Sequence, residues 1–252
     1  MAHALVTGAS RGIGRATAIA LSARGDRVAV HYGSDRDSAA ETLALLHGDG
    51  HHLVGGDLSD PTDAAAIVDE AIAALGVIDV LVNNAAIAPS PATFHRVDAV
   101  DYATWQEAWT RMLDVDLRAA ANVSYLVANA LIRAGAGGSI VNIGSRGADR
   151  GEPDFPAYGA AKAGLHALGQ SLAVALAPHG IAVATVSPGF VGTERQQSKL
   201  AGAEGDSVRA QSPFGRVGTP EEIAAAVVYL TSPEAQWASG AVLDLNGASY
   251  LR

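Results

Sequence analysis

The chain alternates short apolar runs, rich in β-branched residues, with longer alanine-rich segments that have helical spacing. Short apolar runs bounded by turn residues are typical of strands buried on both faces, which occur in parallel sheets covered by helices. The expected strands span residues 3–8, 27–32, 52–57, 77–84, 138–145, 180–189 and 240–247. The alternation therefore predicts an α/β fold, a doubly wound parallel sheet of about seven strands with helices on both faces.

No proline- or glycine-rich linker divides the 252 residues, so we expect one domain over residues 1–252. Two connections interrupt the regular alternation. Residues 88–107 contain prolines, and residues 190–211 become polar and contain glycines. Both leave strands on the side where open α/β sheets bind ligands, which predicts that they form substrate loops.

Composition argues against several classes of partner. The net charge is −9 and no run of basic residues is present, so neither nucleic acid nor an anionic membrane surface is an expected partner. The chain has no cysteine, which excludes disulfides and thiolate metal sites, and its eight histidines are scattered, so no metal site is expected. No apolar run approaches membrane-spanning length and no signal-peptide pattern opens the chain, so the expected location is cytoplasmic.

Residues 7–14, Thr-Gly-Ala-Ser-Arg-Gly-Ile-Gly, directly follow the first expected strand and open the first expected helix. Glycines at 8, 12 and 14 would let the backbone turn sharply and approach a pyrophosphate, which the helix N-terminus then stabilises. The alternative is a tight turn that binds no ligand.

Further motifs follow this turn in order. Asp57 ends the third expected strand, Asn83-Asn84-Ala85 ends the fourth, and residues 187–193 read Ser-Pro-Gly-Phe-Val-Gly-Thr. Between the last two motifs come Ser145 and the pair Tyr158-x3-Lys162. With these motifs the chain resembles the short-chain dehydrogenase/reductase family over essentially its whole length.

The resemblance implies a Rossmann-type fold that binds a nicotinamide dinucleotide. It also implies a homotetramer, or a homodimer, formed by helices around residues 108–133 and 157–178 and by the C-terminal strand. On the family pattern, the residues expected to bind the cofactor are Thr7, Gly8, Ser10, Arg11, Gly12, Ile13, Gly14, Tyr32, Gly33, Ser34, Asp57, Leu58, Asn84, Ala85, Tyr158, Lys162, Pro188, Gly189, Val191 and Thr193.

The end of the second strand indicates which cofactor is preferred. A site that prefers NAD needs a carboxylate there to accept hydrogen bonds from the ribose hydroxyls. Aligned on the family pattern, that place holds Tyr32, followed by Gly33 and Ser34. Arg11 resembles the basic residue of the family that pairs with the 2′-phosphate, although the neighbouring Asp35 would oppose that phosphate. We therefore predict that NADP(H) is preferred over NAD(H).

Tyr158 and Lys162 lie one helical turn apart, and Lys162 is one of only two lysines, with Lys199, among 17 basic residues. A carbonyl that receives a hydride must also gain a proton, and a tyrosine can supply it if a neighbouring ammonium lowers its pKa from about 10. Ser145 would hydrogen-bond both the substrate oxygen and the Tyr158 hydroxyl. The alternatives are a surface lysine beside a half-buried tyrosine, and a simple turn serine.

Two positions depart from the family pattern. Ala86 replaces a glycine after Asn-Asn-Ala. Asp116 occupies the place of the family's catalytic asparagine, which holds a water linking the lysine to solvent through a helix kink. An ionised aspartate only accepts hydrogen bonds, and near Lys162 it would raise the pKa of the lysine. Alternatively, the proton relay tolerates either residue.

The expected function is NADPH-dependent reduction of a ketone or other carbonyl to an alcohol, with Tyr158 as the acid/base, Ser145 and Lys162 beside it, and Asp116 in the relay. The alternatives are an NAD(P)-dependent alcohol dehydrogenase running toward oxidation, and a non-catalytic dinucleotide-binding regulator. A small-molecule substrate is expected, because the helix ends near the site carry few basic residues for a carrier protein. Candidate pocket residues are Phe94, Trp105, Phe155, Phe190, Arg146 and Arg150.

Overall fold

The computed structural model describes residues 1–252, apart from the side chains of Arg195, Ser198 and Lys199. Within the described chain, every strand pairs in parallel with its neighbours. The strands are β1 His3–Val6, β2 Arg27–Tyr32, β3 His52–Gly55, β4 Val80–Asn83, β5 Gly138–Ile143, β6 Ile181–Pro188 and β7 Val242–Leu245. They form one seven-stranded sheet in the order β3-β2-β1-β4-β5-β6-β7, which confirms the predicted doubly wound architecture.

Helices connect the strands. Their bounds are α1 Gly12–Ala23, α2 Arg36–Ala44, α3 Pro61–Leu75, α4 Tyr102–Leu113, α5 Ala119–Ala134, α6 Gly147–Arg150, α7 Pro156–Leu176, α8 Gln197–Ala201, α9 Gly205–Arg209 and α10 Pro220–Leu230. A π-helical turn, Asp114–Arg118, joins α4 to α5, and there the Ala119 N–H donates to the Asp114 carbonyl. The helix expected around 108–133 is thus a pair of helices with a π turn between them.

Polar side chains mark where several helices begin. Asp60 accepts from the Thr62 N–H at 2.7 Å, with Pro61 at the first helical position of α3. Asp101 accepts from the Thr104 N–H at 2.8 Å and starts α4. This cap explains why the 88–107 connection is shorter than expected, since the helix already begins at residue 102. The 190–211 connection likewise contains the short helices α8 and α9.

The core lies in two layers, one on each face of the sheet. Successive strand residues face opposite sides, so that Leu5 and Leu81 pack under α3 and α5, whereas Val6 and Val82 pack under α1 and α10. The four side chains are buried. Apolar burial on both faces is the reason why these strands read as continuous apolar runs in the sequence.

Among the described residues, no helix has both the length and the apolar character needed to cross a membrane.

Candidate active site

A cavity of about 380 Å³ opens at the carboxyl edge of the sheet. Because all strands are parallel, the loops after β1 to β6 meet at this edge, and most of the predicted site residues meet with them. The predicted residues that line the cavity are Gly8, Ser10, Arg11, Ile13, Gly33, Ser34, Asp57, Leu58, Asn84, Ala85, Ser145, Tyr158, Lys162, Pro188, Gly189, Val191 and Thr193.

Thr7 and Gly14 lie behind the cavity wall and hold the glycine turn in place. The Thr7 hydroxyl donates to the Val82 carbonyl at 3.2 Å and accepts from the N–H groups of Asn84 and Ala85 at 2.9 and 3.0 Å. A Cβ on Gly14 would lie 2.4 Å from the Gly8 carbonyl oxygen, so only glycine fits there.

The glycine turn also binds an anionic group within the chain. The Gly12 N–H, in the first turn of α1, donates to the Glu194 carboxylate at 3.1 Å, and the same carboxylate lies 4.0 Å from the Arg15 guanidinium. Backbone donors at a helix N-terminus favour negative charge, and in this contact a backbone N–H of the turn donates to a carboxylate. The donor chemistry fits the pyrophosphate of a dinucleotide.

The catalytic candidates Ser145, Tyr158 and Lys162 also line this cavity. The Ser145 side chain lies near enough to the Tyr158 hydroxyl to lower its pKa, and the Ser145 hydroxyl oxygen accepts from the Gly147 N–H at 3.0 Å. The Lys162 ammonium donates to the Ile143 carbonyl at 3.1 Å and lies 5.8 Å from the centroid of the Tyr158 ring. Serine, tyrosine and lysine therefore line the same cavity as the glycine turn.

Comparison with known proteins agrees with this geometry. A family model described as enoyl-(acyl carrier protein) reductase matches residues 8–247. The chain is 37% identical over 251 residues to L-rhamnose 1-dehydrogenase (NAD(P)(+)) of Sphingomonas sp. (strain SKA58), covering 98% of this chain and 95% of that protein. It is 35% identical over 248 residues to the 3-oxoacyl-[acyl-carrier-protein] reductase of Salmonella typhimurium, covering 98% and 97%. The chain belongs to the short-chain dehydrogenase/reductase family.

A solved structure agrees as well. The one described as ribose-5-phosphate isomerase from Brucella melitensis 16M matches with a TM-score of 0.86 at 33% identity, over 98% of this chain and 91% of that one. The same arrangement of sheet and helices is thus found in that solved structure. The protein is an oxidoreductase of the short-chain dehydrogenase/reductase family.

The pKa of Tyr158 corrects one expectation. Burial has the largest effect on the Tyr158 phenol and raises its pKa. The Ser145 side chain lowers this pKa by less than burial raises it, and the negative charges of Asp116 and Glu152 raise it again. The phenol therefore holds its proton more tightly than a free tyrosine, and Lys162 by itself does not bring it toward neutrality. Burial also lowers the pKa of Lys162, which weakens the ammonium as a source of positive charge.

Asp116 is buried within the π turn, outside the cavity lining. Its Oδ1 accepts from the Ile87 N–H at 2.6 Å, which ties the π turn to the segment after β4. Its charge raises the pKa of Lys162, opposing the effect of burial, and this confirms the predicted direction of that influence. Ala86, the other departure from the family pattern, lines the cavity one residue before Ile87.

Tyr32 is the cofactor candidate that the structure places elsewhere. Its ring packs over Gly55, where an added Cβ would lie 2.6 Å from a ring carbon, and it borders a separate depression beside Arg36. Successive strand residues face opposite sides, so it is the preceding residue, His31, that reaches the cavity. The Tyr32 side chain thus lies outside the cavity, at the strand end where the family alignment places a cofactor residue.

His31 is the main cavity residue that sequence reasoning missed. Its Nδ1 accepts from the Gly8 N–H at 3.0 Å, so its proton sits on Nε2 and is donated to the Gly56 carbonyl at 3.2 Å. The ring braces the glycine turn against the end of β3, and burial lowers its pKa to about 4. The one available signal was a histidine that follows the apolar residues 28–30 within the second expected strand.

The candidate substrate residues divide in two groups. Ala88 and Pro89 from the first connection and Gln196 from the second line the cavity. Arg146 is instead buried against the Phe190 ring, 5.0 Å from its centroid, and donates to Gln211 and Ser249. The other candidates, Phe94, Trp105, Phe155 and Arg150, do not line the cavity either.

The neutral His31 makes stability depend on pH. The unfolded chain protonates this histidine near pH 6.5, while the folded chain resists until about pH 4. The free energy of unfolding should therefore fall, by up to about 3 kcal/mol, as pH drops through this window. Urea unfolding of wild type and His31→Gln between pH 7 and pH 4 measures this, and the variant should show a flatter dependence.

The exposed His47 provides the matched control, since His47→Gln should keep the wild-type dependence. Parallel curves for wild type and His31→Gln would contradict the assignment.

Proposed function

We propose that this oxidoreductase interconverts a small-molecule ketone and alcohol with NADP(H), using Tyr158 as the acid and base. The observation that carries the proposal is the shared cavity, which is lined by Ser145, Tyr158 and Lys162 and by residues of the anion-binding glycine turn. When bound, the nicotinamide would supply or take up the hydride.

The chain's own residues would manage the proton and the substrate oxygen. Because Ser145 and Tyr158 line the same cavity and the serine is near enough to lower the pKa of the phenol, both can meet the same substrate oxygen. The tyrosine gives its proton to the oxygen as charge develops there, and the serine donates a hydrogen bond. The raised pKa of the phenol suits reduction, in which Tyr158 must begin protonated.

Lys162 would supply the positive charge that alcohol oxidation needs. It lines the cavity and uses one N–H on the Ile143 carbonyl, which fixes the ammonium near the tyrosine ring. Asp116 supports the charged form of this lysine, because its carboxylate raises the pKa that burial lowers. The remaining lysine N–H donors suit the ribose hydroxyls of the cofactor, as the family resemblance implies.

Removal of the Tyr158 hydroxyl is the direct test. Tyr158→Phe should lower kcat by about 10²- to 10⁴-fold, because the proton donor is lost while packing is kept. The dissociation constant for NADPH should stay within about twofold of wild type, since the glycine turn is untouched. The assay is a panel of ketones with NADPH and of alcohols with NADP⁺, followed by the near-ultraviolet absorbance of the reduced nicotinamide.

Tyr102→Phe, at an exposed position on α4, is the control and should change neither quantity. Full activity in Tyr158→Phe would refute the assignment. Binding of NADPH with no turnover across the panel would favour the non-catalytic regulator instead.

The preference for NADP(H) rests on charges at the end of β2, where the family resemblance places the adenosine ribose of the cofactor. Arg11, Ser34 and Asp35 line the cavity there, and the Arg11 guanidinium lies 3.9 Å from the Asp35 carboxylate. Asp35 accepts from the Ser38 N–H at 3.1 Å and from its hydroxyl at 2.9 Å, so this carboxylate is engaged in capping α2. Arg11 and Ser34 are thus better placed to receive a 2′-phosphate than Asp35 is to receive a ribose hydroxyl.

Charge removal at Arg11 tests this preference. Wild type should have a higher kcat/KM with NADPH than with NADH, and Arg11→Ala should lower only the NADPH value, by about tenfold, as expected for a lost charge-assisted hydrogen bond. Arg133→Ala, on the exposed end of α5, is the control. Comparable wild-type kcat/KM values for both cofactors would overturn the preference; the name of the rhamnose dehydrogenase relative covers both.

The charge of Asp116 should also shift the pH profile. Its carboxylate raises the pKa of Tyr158, so Asp116→Asn should lower that pKa. Alcohol oxidation needs the deprotonated tyrosine, and its acid limb should therefore move to lower pH in plots of kcat/KM against pH. Asp114→Asn, in the same π turn but paired with Arg118 at 3.0 Å, is the matched control. An unchanged profile in Asp116→Asn would mean that the relay tolerates either residue.

We also propose self-association, as the family resemblance implies. Tyr125 on α5 and Val174 on α7 are 66% and 81% exposed, so both helices carry large apolar side chains on their outer faces. Such side chains are suited to burial against a second copy of the chain.

A further inference from the structure

Helix α7, which carries Tyr158 and Lys162, does not cap its own N-terminus. Phe155 precedes the helix and provides no side-chain hydrogen bond to it. The first N–H groups of a helix lack partners within the helix and need acceptors from elsewhere. Pro156 has no N–H, so the first such donor belongs to Ala157, directly before Tyr158.

His95 supplies the missing acceptor from the 88–107 connection. The Ala157 N–H donates to His95 Nε2 at 3.0 Å, across 62 residues of sequence. His95 Nδ1 lies 2.6 Å from the Thr93 carbonyl oxygen, which can only accept, so the imidazole proton must be on Nδ1. The backbone N–H of His95 donates to the Asp154 carbonyl at 3.1 Å, which ties the same residue to the segment before α7.

The imidazole has no access to solvent that could replace these bonds. His95 is 0% exposed, and its ring meets the edges of Trp105 and Phe155 at centroid distances of 6.2 and 6.1 Å. If the acceptor were removed, the Ala157 N–H would stay buried without a partner, which is costlier than the loss of an exposed hydrogen bond. The first turn of α7 would then shift so that the Ala157 N–H reaches another acceptor.

The same connection forms part of the cavity wall. Ala88 lines the cavity, and the Thr93 hydroxyl lies within hydrogen-bond distance of the Ala88 and Ser90 carbonyl oxygens, at 3.3 and 3.1 Å. The Thr93 carbonyl in turn accepts from His95, and His95 accepts from Ala157. Hydrogen bonds made by Thr93 and His95 therefore link the part of the cavity lining near Ala88 to Ala157, the residue before Tyr158.

We propose that His95 is a positioning residue for the reaction: as a neutral acceptor it holds the start of α7, and so fixes the Tyr158 hydroxyl relative to Ser145 and the cavity wall. The inference rests on the proposed function, because it takes Tyr158 to be the proton donor. His95 does not line the cavity and has no direct role in the chemistry.

Two substitutions separate the acceptor from the packing. His95→Phe keeps an aromatic ring against Trp105 and Phe155 but removes the acceptor, whereas His95→Gln keeps an acceptor within a similar volume. We expect His95→Phe to lower kcat by about 10- to 100-fold, as a small misplacement of a catalytic group does, with the NADPH dissociation constant within twofold of wild type. His95→Gln should recover most of kcat. Both are measured with NADPH and the ketone reduced fastest among cyclohexanone, acetophenone and ethyl acetoacetate.

The double variant Tyr158→Phe/His95→Phe makes the test specific. If His95 acts through Tyr158, its substitution should change the residual rate of Tyr158→Phe by less than twofold, whereas a general loss of structure would lower that rate as well. Hydrogen exchange of the peptide over residues 156–162 gives a measurement that needs no substrate. Exchange should speed up in His95→Phe and return toward wild type in His95→Gln.

The outcomes separate this inference from the proposed function. Wild-type kcat in His95→Phe, with Tyr158→Phe inactive, overturns the role of His95 and leaves the function standing. Equal losses of kcat in His95→Phe and His95→Gln, in proportion to their loss of Tm, also overturn it. Full activity of Tyr158→Phe in the same assay overturns the proposed function itself.

Discussion

Parallel pairing of every strand is the constraint on which the site depends. A parallel strand cannot follow its neighbour through a tight turn, so each pair requires a crossover, and helices supply the crossovers on both faces of this sheet. All carboxyl ends then lie at one edge. Thr7 after β1, Asn84 after β4 and Ser145 after β5 are far apart in sequence. They lie together at this edge because parallel pairing places the carboxyl ends of all strands there.

The site also depends on burying ionisable groups together. Lys162 is 3% exposed and Asp116 is 1% exposed, so neither is solvated as a free ion would be. Each reduces the cost of burying the other, and the carboxylate opposes the fall in the pKa of Lys162. The same carboxylate acts against the phenolate of Tyr158. The charge of Asp116 thus raises the pKa of both groups, which stabilises the charged form of the lysine and destabilises that of the tyrosine.

Local patterns in the sequence predicted the fold well because strands, turns and caps are local. The alternation of apolar and helical segments predicted each strand of the sheet, and residues of the glycine turn and of Tyr158-x3-Lys162 line one cavity. The differences arise where contacts cross the chain. Tyr32 faces away because alternation along β2 directs His31 inward, and the pKa of Tyr158 depends on burial that no motif encodes.

His95 shows the same limit from another side. Residues 88–107 read as a loop with prolines, and nothing in their spacing indicates that one imidazole accepts from a backbone N–H 62 residues later. Which acceptor lies near the start of a helix depends on how the whole chain packs, and not on the residues around that helix start alone. Directly before Pro156 stands Phe155, whose side chain cannot cap a helix as a serine, threonine or aspartate would, and this is a local trace of the contact.

The contact between Gly12 and Glu194 makes two events compete for one hydrogen. An N–H donates well to a single acceptor, so a phosphate oxygen that takes the Gly12 N–H must displace the Glu194 carboxylate. The carboxylate is tethered beside the turn and therefore competes at a high effective concentration. Anion binding at the turn and docking of the segment that carries Glu194 are thus linked equilibria with opposite signs, and each weakens the other by the same factor.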